Sequence, residues 1–309
     1  MSYEAPLRDM QFVLYELLKG DEVLPALPGF EEASRDIMDA IINEGARLTQ
    51  NVIEPTNAPG DREGCHYDPE SKSVTTPQGF KEAYQQFAEG GWTGMSAPVE
   101  YGGQGMPHLL NTVAEEMMCS ANLSLGMYPG LTHGAVNALL GYGTDEQKDY
   151  FLPRLISGEW SGTMCLTEPQ CGTDLGLIRT KAEPQADGSY AVSGTKIWIT
   201  GGEHDLTDNI VHLVLAKLPD APKGSKGISL FLVPKFLEDG SRNSAFCGGL
   251  EHKMGIKGSA TCVMNFEEAR GWLIGEPNKG LQAMFVMMNS ARIMVGIQGL
   301  GIGEAAYQV

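Results

Sequence analysis

From Pro6 to about Trp160 the apolar positions recur at three- and four-residue spacing: Phe12 with Leu14 to Leu18, then Ile37, Ile41 and Ile42, then Leu109, Leu110, Val113 and Met117. That period is the mark of amphipathic helices and predicts an α-helical domain over residues 1–160. Breaks are expected at Pro25 to Gly29, Pro55 to Gly64, Pro98 to Pro107 and Pro129 to Gly134, where Gly, Pro and Asn disfavour a continuing helix. After about Ser161 the pattern changes to short β-rich runs, Tyr190 to Val192, Lys196 to Thr200, Ile210 to Ala216, Ile228 to Val233 and Thr261 to Phe266, separated by Gly, Pro and Asp turns. These predict a central β domain over residues 161–276.

From Lys279 helical spacing returns, and residues 277–309 read as the first part of a C-terminal helical domain. Leu281, Met284, Phe285, Met288, Val295 and Leu300 give this last helix a broad apolar surface, for which partner helices are expected beyond Val309. The fold class is therefore α+β: helices, then a β domain, then the start of a helical bundle. That order lacks the strand–helix alternation of a doubly wound dinucleotide fold. Gly296, Gly299, Gly301 and Gly303 follow no strand and miss the phosphate-loop spacing, so they read as small residues for close helix packing.

Composition narrows the partners. The 309 residues carry a formal charge of −17, which argues against nucleic acid as a partner. The acidity sits in the first half, where residues 1–160 hold 9 basic and 24 acidic side chains against 13 and 15 in the remainder. An anionic ligand meets less repulsion from the second half. Six cysteines show no C-x-x-C pair and no histidine at metal-ligand spacing, so no metal site and no disulfide framework are expected. The N-terminal residues are polar and the longest apolar runs are short, which predicts no membrane span and a cytoplasmic protein.

The most polar loop at the α/β junction is Cys165-Leu166-Thr167-Glu168-Pro169-Gln170-Cys171-Gly172-Thr173-Asp174, and such junctions favour ligands. Glu168 and Asp174 are either an acid–base pair or carboxylates that tie the loop down by accepting backbone N–H bonds. Thr167 and Thr173 offer hydroxyls there. Trp198, Ile199 and Thr200 end a strand before Gly201-Gly202, which allows Trp198 to be a core residue or a stacking platform. Cys165 and Cys171 have no histidine nearby in sequence and read as packing residues.

Three strings in order, Pro98 to Gly105 (PVEYGGQG), Thr167 to Asp174 (TEPQCGTD) and Gly194 to Thr200 (GTKIWIT), resemble the acyl-CoA dehydrogenase family. The likeness extends through Gly143 to Glu159 and Lys253-Met254-Gly255. The start, Tyr3 to Met10, is similar to a bacterial subgroup with longer chains that includes 3-methylmercaptopropionyl-CoA dehydrogenases. The resemblance implies an N-terminal helical domain, a central β domain and a C-terminal four-helix bundle. It implies FAD held by Met164, Leu166, Thr167, Gly172 and Thr173 on one side and Trp198, Ile199 and Thr200 on the other, with Thr200 the partner of flavin N5.

The implied reaction is α,β-dehydrogenation of an acyl-CoA thioester to the 2-enoyl-CoA, as in fatty acid β-oxidation. Electrons would pass to an electron-transferring flavoprotein, and the full-length protein would be a homodimer or homotetramer. An acyl-CoA oxidase and a non-catalytic flavin- or acyl-CoA-binding module are the alternatives. Thr173, Asn289 and Arg292 match positions that contact substrate, although a helical Arg facing solvent fits Arg292 as well. The sequence departs from the family at Cys171 and Leu177, where small residues are usual. Ala291 stands where some members carry the catalytic Glu. No catalytic base is assigned within the chain, and a Glu beyond Val309 is expected.

Overall fold

In a computed structural model describing residues 3–309, the first half is built from helices α1 (Leu7–Gln11), α2 (Gly20–Val23), α3 (Arg35–Leu48), α4 (Asn57–Glu63), α5 (Phe80–Glu89), α6 (His108–Tyr142) and α7 (Asp145–Ser157). A short hairpin, β1 (His66–Asp68) with β2 (Ser73–Thr75), sits between α4 and α5. Two of the expected breaks are absent. Asn57–Glu63 is helical, because Pro55 stands in the first turn of the preceding 3-10 segment, where a missing N–H costs nothing. Pro129 and Gly134 lie inside α6, and the interruption falls instead at Asn122, with φ −157° and ψ 92°. There the Asn122 Oδ1 accepts from the Leu125 N–H at 3.2 Å and restarts the helix, while its Nδ2 donates to Thr56 Oγ1 at 2.8 Å.

The second half contains β3 (Trp160–Cys165), β4 (Lys181–Pro184), β5 (Tyr190–Thr200), β6 (Asn209–Lys217), β7 (Ile228–Pro234), β8 (Ala245–Leu250) and β9 (Thr261–Ile274), followed by α8 (Gly280–Tyr307). β6 pairs antiparallel with β7, β7 with β9, β9 with β5 and β5 with β4, and β4 returns to β6 through one parallel pair, Lys181 with Lys217. The circuit closes, with β3 parallel on β6 and β8 antiparallel on β9. Closure explains why β7 is buried along its whole length. Phe231 and Val233 point inward to Ile199, Met264 and Phe266, while Leu230 and Leu232 pack with Leu139, Leu152 and Met284 from the helices.

α8 runs antiparallel to α6, with Met287 against Gly134, Met294 against Gly130 and Gly301 against Cys119 and Ser120. The close-packing role assigned to the α8 glycines therefore holds for Gly301 alone, since a Cβ at Gly296, Gly299 or Gly303 would meet open space. Met284 is 0% exposed, not part of a free face, because it plugs the junction between α8, α6 and the sheet. Phe285, Val295 and Leu300 are exposed, together with Ile293 and Ile302. By length and composition α8 is also apolar enough to cross a membrane, against the expectation that no segment is long enough; here one side of it lies along α6.

Tyr128 ties α6 to the β domain: its hydroxyl donates to the Gly258 carbonyl at 3.1 Å and accepts from the Ala260 N–H at 2.8 Å. Tyr128→Phe would leave a buried N–H without a partner and is expected to cost about 1–3 kcal/mol in urea unfolding.

Candidate functional site

β3 leaves the sheet at Cys165, and the chain folds into a tight turn in which Glu168 and Cys171 exchange backbone hydrogen bonds of 2.8 and 3.0 Å. The turn is held by the Glu168 carboxylate. Its Oε1 accepts from Lys196 Nζ at 2.8 Å, Thr180 Oγ1 at 2.6 Å and the Thr180 N–H at 3.1 Å. Its Oε2 accepts from the Arg179 N–H at 2.6 Å and Gln170 Nε2 at 2.7 Å. Burial pushes this carboxyl up, but the Lys196 charge and the converging donors outweigh it and hold the pKa down at about 2. Lys196 is 0% exposed. Of the two readings of Glu168, the structure selects the loop tie over acid–base work.

Asp174 is used in a similar way, its Oδ1 accepting from the Gly176 N–H at 3.0 Å to cap a 3-10 turn. Cys165 is buried, and desolvation pushes its thiol up to about 12; burial raises Cys171 as well. Neither is poised as a nucleophile.

The loop lies against β5 through a bond from the Ile197 N–H to the Thr167 carbonyl at 2.9 Å. The register of β5 on β9 shifts between Lys196 and Ile199, and this irregularity drives Trp198 to φ +58°. A non-glycine residue there is uncommon and marks a constrained position. The Trp198 side chain emerges 60% exposed, so it does not belong to the core. Ile199 and Leu166 turn their side chains into the core and offer only backbone to a ligand. Met164, Thr167 and Thr200 are half-buried, and Gly172 and Thr173 are exposed. The hydroxyls of Thr167, Thr173 and Thr200 make no hydrogen bond among the described residues.

Asn289 and Arg292 lie elsewhere, on the exposed side of α8, where Arg292 Nη1 donates to Asn289 Oδ1 at 2.5 Å. No hydrogen bond or ion pair connects them to the loop. Lys196 and Thr180 were missed by sequence reasoning, although a lysine alternating with Val192 and Gly194 on one face of β5 was a visible signal. A cavity of about 920 Å³ lined by Tyr150, Tyr190, Phe236 and Trp272 contains none of the expected site residues.

Residues 39–159 match the family model described as acyl-CoA dehydrogenase, N-terminal domain, and residues 163–269 match acyl-CoA dehydrogenase, middle domain. The structure of butyryl-CoA dehydrogenase from Megasphaera elsdenii superposes with a TM-score of 0.73 at 30% identity, covering 88% of this chain and 67% of that one. The chain belongs to the acyl-CoA dehydrogenase family. Among curated relatives, the 3-methylmercaptopropionyl-CoA dehydrogenase of Ruegeria pomeroyi is 49% identical over 100% of this chain and 53% of its own length. An acyl-CoA dehydrogenase complexed with FAD from Bacillus anthracis aligns with a TM-score of 0.71 at 26% identity, covering 87% of this chain and 43% of that one. The chain spans about half the length of the curated relatives it matches.

Behind the loop, two buried histidines are neutral. His204 bonds Ser161 Oγ at 2.9 Å and His212 bonds Thr163 Oγ1 at 2.8 Å, and burial pulls both pKa values down to about 3. Between about pH 6.5 and 3 the unfolded chain binds protons at these positions that the folded chain does not, so stability falls on acidification. Glu168 adds to the loss, because its stabilisation is present above about pH 4.5 and disappears as pH falls through 2. His204→Gln is expected to flatten the pH dependence of urea unfolding free energy between pH 6.5 and 4. An unchanged slope would contradict the assignment.

Proposed function

We propose that the chain is the flavin-binding part of an FAD-dependent acyl-CoA dehydrogenase, which converts an acyl-CoA thioester to the 2-enoyl-CoA and passes electrons to an electron-transferring flavoprotein. The observation that carries the reading is Trp198: a large aromatic ring, mostly exposed, on a backbone at φ +58° beside a clamped loop with unbonded hydroxyls. That combination suits a planar cofactor with a polar edge. FAD, when bound, supplies the hydride acceptor.

The chain's own residues bind and orient. The Trp198 ring covers one side and excludes water, while Thr167 and Thr173 donate to the polar edge of the ring system. Thr200 donates where negative charge accumulates. Gly172 keeps the loop surface low, and the backbone of Leu166 and Ile199 frames the site beside Met164. Thr173, Asn289 and Arg292 are assigned to the acyl-CoA, the Arg as a cation for the anionic CoA portion. Neither Glu168 nor Asp174 is free to take the substrate α proton, since each is committed to holding backbone.

We divide the chain at residues 160 and 276 into a helical domain, a β domain and the beginning of a second helical domain, and infer a cytoplasmic homo-oligomer for the whole protein. The test is turnover by the full-length protein with a panel of straight-chain, aryl and methylthio acyl-CoAs. Formation of 2-enoyl-CoA dependent on an electron-transferring flavoprotein, with little peroxide under air, supports the proposal. Rapid peroxide formation would make it an oxidase, and no product with any thioester would reduce it to a binding module.

A further inference from the structure

The buried ammonium of Lys196 does more than neutralise Glu168. Its Nζ also donates to the Leu166 carbonyl at 3.1 Å. The peptide joining Leu166 to Thr167 is trans, as are all peptides among the described residues, so its C=O and N–H point in opposite directions. With the carbonyl held inward on Lys196, the Thr167 N–H points away from the ammonium. It donates to no group among the described residues. A cation on the carbonyl also polarises the peptide and strengthens its N–H as a donor, more so at low local dielectric. The Thr167 carbonyl, in turn, accepts from Ile197, the residue before Trp198. One ion pair thereby fixes both walls of the site relative to each other.

We propose that Lys196 is a positioning residue for the flavin: by holding the Leu166 carbonyl from inside, it presents the Thr167 N–H as an oriented, polarised donor to the cofactor's polar edge. The inference rests on the flavin reading above. Glu168 offsets the burial of the ammonium; without the carboxylate the amine stays within reach of the Leu166 carbonyl, but its charge, and with it the polarisation, is disfavoured. The ion pair is thus part of the cofactor site, although neither side chain reaches solvent.

The experiment uses full-length protein purified with FAD and two double variants that leave no buried charge alone: Lys196→Met with Glu168→Gln, and Lys196→Gln with Glu168→Gln. Single Glu168→Gln, which keeps the Lys196 contact to Leu166, is the comparison. Both double variants are expected to retain the wild-type circular dichroism spectrum, to bind FAD at least tenfold more weakly, and to show a shifted flavin absorption band. Glu168→Gln is expected to stay closer to wild type on both readouts. Folded double variants with wild-type Kd and spectrum would overturn the inference. So would double variants that unfold even with FAD present, which would assign the pair to stability alone. Wild-type protein that neither retains nor rebinds FAD would remove the flavin reading itself, a result separate from any difference among the variants.

Discussion

Replacing Glu168 by Ala is expected to destabilise the protein by about 3–5 kcal/mol, the cost of breaking a buried ion pair by removing one partner. The residue ties together three separate stretches of the chain: Gln170, Arg179–Thr180 through two backbone N–H groups and the Thr180 hydroxyl, and Lys196. Its loss leaves the Lys196 amine buried with only the Leu166 carbonyl as partner. Urea unfolding at neutral pH measures the effect, with Glu183→Ala as a control, since the Lys181–Glu183 pair is exposed and is expected to contribute little. A change below about 1 kcal/mol for Glu168→Ala would contradict the clamp.

Thr200→Val is expected to slow flavin reduction by about 100-fold while leaving the fold unchanged, the scale seen when one preorganised donor is removed from developing charge. The hydroxyl makes no hydrogen bond among the described residues, and Val keeps the volume and branching that suit the end of β5. Stopped-flow reduction of the full-length variant with excess acyl-CoA gives the rate. Wild-type reduction by a well-folded Thr200→Val protein would refute the assignment of Thr200 to the cofactor, and a variant that unfolds would make the residue a structural one.

Much of the fold was legible because it follows from short-range pattern. The runs at Ile210 to Ala216 and Ile228 to Val233 are strands β6 and β7, since a stretch buried on both faces is apolar at nearly every position, His212 and Ser229 being the exceptions here. The runs at Tyr190 and Lys196 proved to be one strand with two irregularities, because Gly194 interrupts the apolar signal without ending the pairing. β3, β4 and β8 were not legible. β4 is four residues of mixed polarity, Lys181–Pro184, defined by its neighbours rather than by its own sequence.

Pro129 misled for a physical reason. Its penalty of about 3 kcal/mol in a helix is outweighed by packing of Tyr128, Thr132 and Ala135 against the β domain. At the site, the motif residues Glu168 and Trp198 could be singled out, but each had two readings. Burial decided between them, and burial depends on chain segments about 30 residues apart. The partner of Glu168 stayed hidden because a lysine is so seldom fully buried that its place on the inward face of β5 carried little weight.

A flavin bound at this site is proposed to take a hydride from an acyl-CoA thioester. The most direct measurement is an anaerobic titration of full-length, FAD-loaded protein with each acyl-CoA of the panel, following the oxidised flavin band. Stoichiometric bleaching by at least one thioester, with the matching 2-enoyl-CoA formed, is the predicted result. Stoichiometrically bound FAD that no acyl-CoA bleaches would contradict the claim.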